Sequence, residues 1–378
     1  MTLKARAKIR LGVIGCGSVT EQRHLPALKS VPLFEVSALA DNDHARLARV
    51  AKRFGVARSY DDYQDLIEKG EVDAVAVCVP PGLHAPLALA ALDAGKHVMI
   101  EKPLALSLSE CDLLLERSEA HGALKVMVGF NLRWHRLVRE AWEIIGSGEL
   151  GEVKLVRTVF TSGVRFKADF ADWRRRRESG GGALFELGVH HFDLVRFLLN
   201  DEPAEVYALS AQTDETATVM MRMEGGAQVV NAFSEGTGEN HAIELYGEKG
   251  WLRVHCYRAD GLERFGAARY AGALATRLRQ LTGTLTDLPR MVRQSLRGGD
   301  YVASYADEWR HFAGAIAHDS SVESTLYDGR RALEIALAAM EADSKRHAIE
   351  IDQREQKSAA MRMKREGEEF WRQRAGKS

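Results

Sequence analysis

The stretch IRLGVIGCGSV, residues 9 to 19, decides the architecture. Its first part, IRLGVIG, is a short apolar run ending in glycine and reads as a buried strand. A tight turn follows. Gly15 stands where a Cβ would be in the way, Gly17 where backbone N–H groups must approach a pyrophosphate closely, and Ser18 and Val19 lead into a helix. The third small residue of the usual fingerprint is absent, Thr20 occupying its place, so the turn alone fits a dinucleotide site or an ordinary glycine-rich turn.

Asp41 tilts that choice. It ends the second predicted strand, VSALAD (36–41), 26 residues after Gly15, where a carboxylate can accept hydrogen bonds from both adenosine ribose hydroxyls. The competing role for such an acid is a helix cap. Asn42 follows, with no arginine directly beside it to neutralise a 2'-phosphate, which favours NAD over NADP unless Arg46 or Arg49 turns toward the ribose.

Working outward, further apolar runs alternate with helical periodicity: HARLARVAKRF as a helix, VDAVAVCVP (72–80) as a strand, HAPLALAALDAG as a helix, HVMIEKP (97–103) as a strand, SLSECDLLLERSEAHG as a helix, and KVMVGF (125–130) as a strand. Nearly continuous apolar strands between amphipathic helices predict a doubly wound parallel α/β sheet with its ligand site at the carboxyl ends of the strands. Pro80 and His84 follow the third strand and Asn131 and Arg133 the last, all topologically close to a bound dinucleotide. Helix capping competes for His84.

The rhythm changes after residue 130. EVKLVRTVFTS, EVYALSAQ, ATVMMRMEGG, AQVVNAFSEG, HAIELYGEKG and GWLRVHCYR read as strands joined by turn residues, a largely antiparallel sheet. Helices are expected at 133–146, 183–199, 304–317 and 328–346. The predicted organisation is a dinucleotide-binding unit over 8–130, a substrate-binding and oligomerisation unit over 131–352 with a helical insertion at 264–299, and a charged tail over 353–378.

Composition excludes several classes. The 378 residues carry a formal charge of -1, giving no global attraction for nucleic acid or an anionic membrane. No run approaches the roughly 20 apolar residues of a membrane span, and the N-terminus lacks the pattern of a signal peptide, so a cytoplasmic location is expected. Cys16, Cys78, Cys111 and Cys256 are too scattered for a disulfide frame or zinc knuckle. No metal site is expected.

One stretch is unusual: GGGALFELGVHHFD, residues 180 to 193, combines three glycines, a lone acid and two adjacent histidines. On a helix over 184–196, Glu186 and His190 are four apart and share a face, while His191 is rotated by about 100° and fits a packing role. Asp193, three beyond His190, either joins that side or braces nearby backbone.

VIGCGSV (13–19), Asp41, Glu101-Lys102-Pro103 and the 180–193 stretch together resemble the glucose-fructose oxidoreductase and inositol 2-dehydrogenase family, over roughly residues 8 to 352. The resemblance implies an N-terminal Rossmann domain and a C-terminal α/β domain on a large, open, mostly antiparallel sheet that supports dimers or tetramers. It further implies a cis peptide before Pro103 that aims Lys102 into the cleft. His190 would then be the proton-transfer residue and Lys102 would orient the reacting hydroxyl. Glu186 stands where the family usually has aspartate, which puts the substrate geometry in question. Glu101 would hydrogen-bond the nicotinamide ribose, with a structural strand-end charge as the competing role, and Trp173-Arg174 resembles a family contact region or, equally, a packed aromatic beside a solvated arginine. The implied activity is NAD-dependent oxidation of a secondary hydroxyl on a sugar, sugar derivative or cyclitol. Two alternatives stay open: nonredox glycoside cleavage or epimerisation through transient oxidation, and an NAD-binding regulatory protein without turnover.

Overall fold

The computed structural model describes residues 8–167, 170–258, 260–266 and 299–351. The expected insertion at 264–299, apart from its ends, and the tail at 353–378 lie outside the described residues.

The N-terminal half is a six-stranded parallel sheet in the order β3-β2-β1-β4-β5-β6. Its strands are β1 (Ile9–Ile14), β2 (Phe34–Ala40), β3 (Arg58–Tyr60), β4 (Ala74–Val77), β5 (His97–Ile100) and β6 (Val126–Val128). Every residue of β4 is buried, as an apolar strand covered on both faces requires. The strand order reverses between β1 and β4, and it is there that Gly15 ends β1. This is the doubly wound Rossmann sheet.

Local chemistry ends the helices where the sequence implies. Asp43 caps the helix His44–Phe54 by accepting from Arg46 N–H at 2.9 Å, and Gly55 closes it at φ 73°. The sequence reading passed over β3 and the helix Tyr63–Lys69. β3 is a three-residue, largely polar edge strand without an apolar run to betray it.

The second half is built on an eight-stranded sheet, β13-β12-β11-β7-β10-β9-β8-β14, with β13 (Leu262–Gly266) and β14 (Ile349–Glu350) at its edges. The strands that position the site are β7 (Val153–Thr161), β8 (Pro203–Ser210), β9 (Thr216–Met223), β10 (Gln228–Ser234), β11 (Asn240–Gly247) and β12 (Gly250–His255). Consecutive pairs β8·β9, β9·β10 and β11·β12 are antiparallel, as expected. A plain meander is nonetheless broken: β7 inserts between β10 and β11 and runs parallel to β10. One face of this sheet packs under the helix Val189–Leu199, while the other leaves Leu155, Leu209 and Met220 exposed.

Two C-terminal helices return to the body. Leu326–Lys345 starts with a Thr325/Asp328 capping box. Asp300–His318 sends the fully buried Trp309 and Phe312 into the apolar layer beneath β1 and β2, with Leu11, Val13 and Leu39. All four cysteines are free and buried. Among the described residues no helix is long and apolar enough to cross a membrane.

Candidate active site

At the tip of β1 the glycines behave as the turn demands. Gly15 has φ 95°, and a Cβ there would lie 2.2 Å from the Cys78 carbonyl oxygen. A Cβ on Gly17 would meet nothing within 4 Å, so its backbone faces open space beside the strand ends. Ser18 and Val19 begin the helical segment, where the first N–H groups lack intrahelical acceptors and suit a phosphate. These features fit a dinucleotide pyrophosphate.

Asp41 follows β2 as expected, with Asn42 exposed beside it. Its carboxylate accepts from Cys16 N–H at 2.7 Å and Asp43 N–H at 2.9 Å, and from Arg46 Nε and Nη2 at 2.9 and 2.6 Å. Burial alone would raise its pKa, but Arg46 and the two backbone donors hold it below the usual carboxylate range. Of the two arginines able to disturb the ribose site, Arg49 is engaged by Glu21 at 2.7 Å and Arg46 has turned in.

Beyond β5, the Lys102–Pro103 peptide is cis. Glu101 is buried, accepting from His24 Nε2 at 2.7 Å and from Lys102 N–H at 3.0 Å. Trp309 donates its indole N–H to His24 Nδ1 at 3.1 Å, which fixes the His24 tautomer with its proton on Nε2. Burial works against the Glu101 charge, yet His24 and the Lys102 cation keep the carboxyl ionised below its ordinary pKa. Glu101 is thus held as a structural charge at the end of the strand, pinning this loop. His84 is buried between two carbonyls, Nδ1 2.7 Å from Pro103 O and Nε2 2.8 Å from Val79 O; burial lowers its pKa, so the neutral ring donates to one of them and packs between the loops carrying Pro80 and Pro103. Asn131 donates to Ser304 Oγ at 2.9 Å and keeps its buried Oδ1 without a partner.

The 180–193 stretch meets this loop. Gly180 and Gly182 have φ 78°, and a Cβ on Gly181 would lie 2.3 Å from Arg174 O, so close passage past the Arg174 backbone is what the glycines permit. The chain then forms a π-helical turn at Leu184–Gly188 before the α-helix Val189–Leu199, a local widening common at functional sites. Lys102 Nζ donates to Glu186 O at 3.1 Å and lies 3.5 Å from Glu186 Oε2. Arg174 grips the same carboxylate through Nε and Nη2 at 3.1 and 2.8 Å. Burial would raise the Glu186 pKa, but the Lys102 and Arg174 charges outweigh it and hold it at about 2. Trp173 is half-buried beside Arg174, its ring centroid 6.0 Å from the guanidinium.

His190 is buried with no hydrogen bond at Nδ1. Burial, then the Lys102 charge, then His191 push its pKa well below the ordinary imidazole value, so the ring is neutral at neutral pH. His191 packs instead, its Nε2 3.0 Å from His241 Nε2 and its ring stacked on Phe160.

Asp193 departs from expectation. It neither joins the His190 side nor braces backbone: it binds Arg133 Nε and Nη2 at 2.8 and 2.5 Å, in a buried network with Asp328 and Arg196. The helix turns this side chain away from Glu186 and toward the 3₁₀ turn Asn131–Trp134. Sequence reasoning also missed His24, which it did not single out, and Glu235, which lay unremarked at the end of the predicted strand AQVVNAFSEG. Glu235 is fully buried within electrostatic reach of Glu186, Arg174 and Lys102. Among the described residues no group of three or more His, Cys, Asp or Glu side chains is placed to hold a metal ion.

Residues 9–130 match the model of an oxidoreductase family with an NAD-binding Rossmann fold, and residues 138–253 match the GFO/IDH/MocA C-terminal domain. An uncharacterized oxidoreductase of Rhizobium meliloti, ORF334, is 32% identical over 246 residues, 64% of this chain and 72% of the relative. The chain belongs to the GFO/IDH/MocA oxidoreductase family. Within it, a myo-inositol 2-dehydrogenase of Thermotoga maritima is 27% identical over 365 residues, 91% of this chain and 99% of that one. An oxidoreductase domain protein from Kribbella flavida shares the fold at a TM-score of 0.78, 23% identical over 92% of this chain and 100% of its own. NAD is the cofactor to which the family's Rossmann domain is suited.

Arg46 occupies the carboxylate expected to receive the ribose hydroxyls, so a dinucleotide held there would have to displace it. Arg46→Ala is expected to tighten NAD binding several-fold and to weaken NADP binding, since the nearest cation for a 2'-phosphate is lost. Titration calorimetry with each nucleotide measures both changes.

Proposed function

We propose that the protein oxidises a secondary hydroxyl of a sugar, sugar derivative or cyclitol, with His190 taking the hydroxyl proton and Lys102 orienting the oxygen. The observation that carries this reading is the convergence of the half-buried Lys102, from the end of β5, with Glu186 one helical turn from a neutral, buried His190. The similarity to the myo-inositol 2-dehydrogenase of Thermotoga maritima supports the substrate class.

Gly15, Gly17, Ser18, Val19 and Asp41 would hold NAD, with Asn131 offering its unspent Oδ1. Bound there, NAD supplies the hydride acceptor. The protein's task is then to remove one proton as the C–H bond breaks. A neutral imidazole is in the required state, and the lysine cation that depresses its pKa also favours negative charge gathering on the alcohol oxygen. Glu186 is held by Lys102 on one side and Arg174 on the other. It fixes the ammonium in place and, being ionised, offsets part of the positive charge facing the substrate. Arg174 makes the longer side chain of this glutamate useful, because both carboxylate oxygens are bound by its fork.

The test is to incubate the protein with NAD and a panel of myo-inositol, scyllo-inositol, D-glucose, D-xylose and their acid and amino derivatives, recording reduced cofactor and product mass. Equimolar NADH and ketone (or lactone, where an anomeric hydroxyl reacts) are expected. His190→Ala should lower kcat about 10²- to 10⁴-fold while leaving NAD affinity intact. Parallel loss of NAD binding and turnover would make His190 structural, and a product of unchanged oxidation level would favour the transient-oxidation route.

We further infer that the exposed face of the eight-stranded sheet joins subunits into a dimer or tetramer, because Leu155, Leu209 and Met220 are exposed on it at 38%, 48% and 46%. Met220→Glu is expected to shift sedimentation toward the monomer; an unchanged sedimentation coefficient would place the contact elsewhere.

A further inference from the structure

A second group of buried polar atoms lies where β7 and β10 end. Alternation along β10 puts Phe233 on the face beneath the helix Val189–Leu199, its ring edge-on to His191 at 5.6 Å, and Glu235 two residues later falls on the same face. Pairing continues past the strand, the Glu235 N–H donating to Glu215 O at 2.9 Å. In the parallel register Phe233 lies beside Phe160 and Ser234 beside Thr161. Ser162 is therefore the neighbour of Glu235, and its N–H donates to Ser234 O at 2.8 Å.

Glu235 is fully buried, and neither carboxyl oxygen has a hydrogen-bond partner. The same holds for Ser162 Oγ and for Arg165 Nη1, which stands 3.6 Å from Glu235 Oε2, too long for a hydrogen bond. Buried polar groups without partners are rare, and several side by side mark a place that something else completes. The groups acting on Glu235 come from every side: Glu186 on the π-helical turn, Arg174 and Arg165 on 3₁₀ turns, and Lys102 after β5, while Glu215 shares Arg165 at 3.6 Å. Burial and the Glu186 charge, opposed by the three cations, push the Glu235 carboxyl up to about 7.

We propose that Glu235, Ser162 and Arg165 form a subsite that reads a vicinal diol on the part of the substrate away from the reacting carbon, its two hydroxyls donating to the two carboxylate oxygens. The proposal rests on the polyol reading of the site. Three surrounding cations disfavour an ammonium, and two carboxyl groups disfavour an anion. Neutral hydroxyls suit all of them, because they donate to Glu235 and accept from Arg165 and Ser162. Such donors favour the ionised carboxyl. Below pH 7 binding therefore releases a proton, and affinity increases as pH rises through about 7 before levelling.

The test uses the full-length protein saturated with NADH, titrated calorimetrically with myo-inositol, D-glucose and D-xylose at pH 6 and pH 8 in buffers of different ionisation heat, beside steady-state oxidation of the same polyols with NAD. The wild type is expected to bind a polyol about 10-fold more tightly at pH 8 than at pH 6, as one linked proton requires. Glu235→Gln should bind about 10- to 100-fold more weakly, with no pH dependence, and should raise KM with kcat nearly unchanged. Ser162→Ala, which removes a single oxygen, should raise KM to a smaller extent and carries the test if the glutamine variant does not fold. Wild-type affinity in Glu235→Gln, a loss confined to kcat, no polyol bound by the wild type, or an unmoved KM in Ser162→Ala where that variant carries the test would each overturn the subsite. Polyol binding without NADH formation would instead sink the hydride-transfer reading and leave the subsite standing.

Discussion

The contact between Lys102 and Glu186 is the one on which the site depends. It joins the loop after β5 to the turn that precedes the helix Val189–Leu199, and so ties the nucleotide-binding sheet to the segment that covers the second sheet. An ammonium and a carboxylate largely withdrawn from water are each costly alone; together, with Arg174 completing the carboxylate's hydrogen bonds, they become tolerable. Burial first, and then the same cation, keep His190 in its basic form. Charge placement and proton chemistry are thus one constraint.

Support for that contact reaches far along the chain. His24 and Trp309, from opposite ends of the sequence, hold Glu101, while His84 braces the backbone on either side of the loop. Arg133, Asp193, Arg196 and Asp328 form a second buried network that fixes the helix bearing His190. Neither set needs to touch a substrate to matter. A kcat that falls on disturbing either would reflect displacement of Lys102 or His190, since small misplacements of reacting groups are expensive.

Much of this was legible from residue order. The glycine turn, Asp41 and the alternation of apolar strands with amphipathic helices give the Rossmann sheet because its burial pattern is local. Lys102, Glu186 and His190 were readable from their motifs. What escaped was decided by distance in space. Nothing local says that Arg46 folds onto Asp41, that His84 lodges between two backbone carbonyls, or that Asp193 turns to Arg133. β7 likewise reads as a strand, but its place between β10 and β11 depends on a long-range parallel pairing. Glu235 was the most recoverable omission, since its two-residue spacing from Phe233 continues the buried face of β10 beyond the apparent turn.

The account stands or falls on the state of His190, which can be observed without any substrate. Nitrogen-15 resonances of the labelled imidazole, followed from pH 5 to pH 9 in the wild type and in Lys102→Met, report its protonation directly. A ring that stays neutral across this range in the wild type, with its pKa rising once the lysine charge is removed, is the predicted result. An imidazole titrating near its ordinary value of about 6.5, indifferent to Lys102, would contradict the coupling of charge and base from which the proposed chemistry follows.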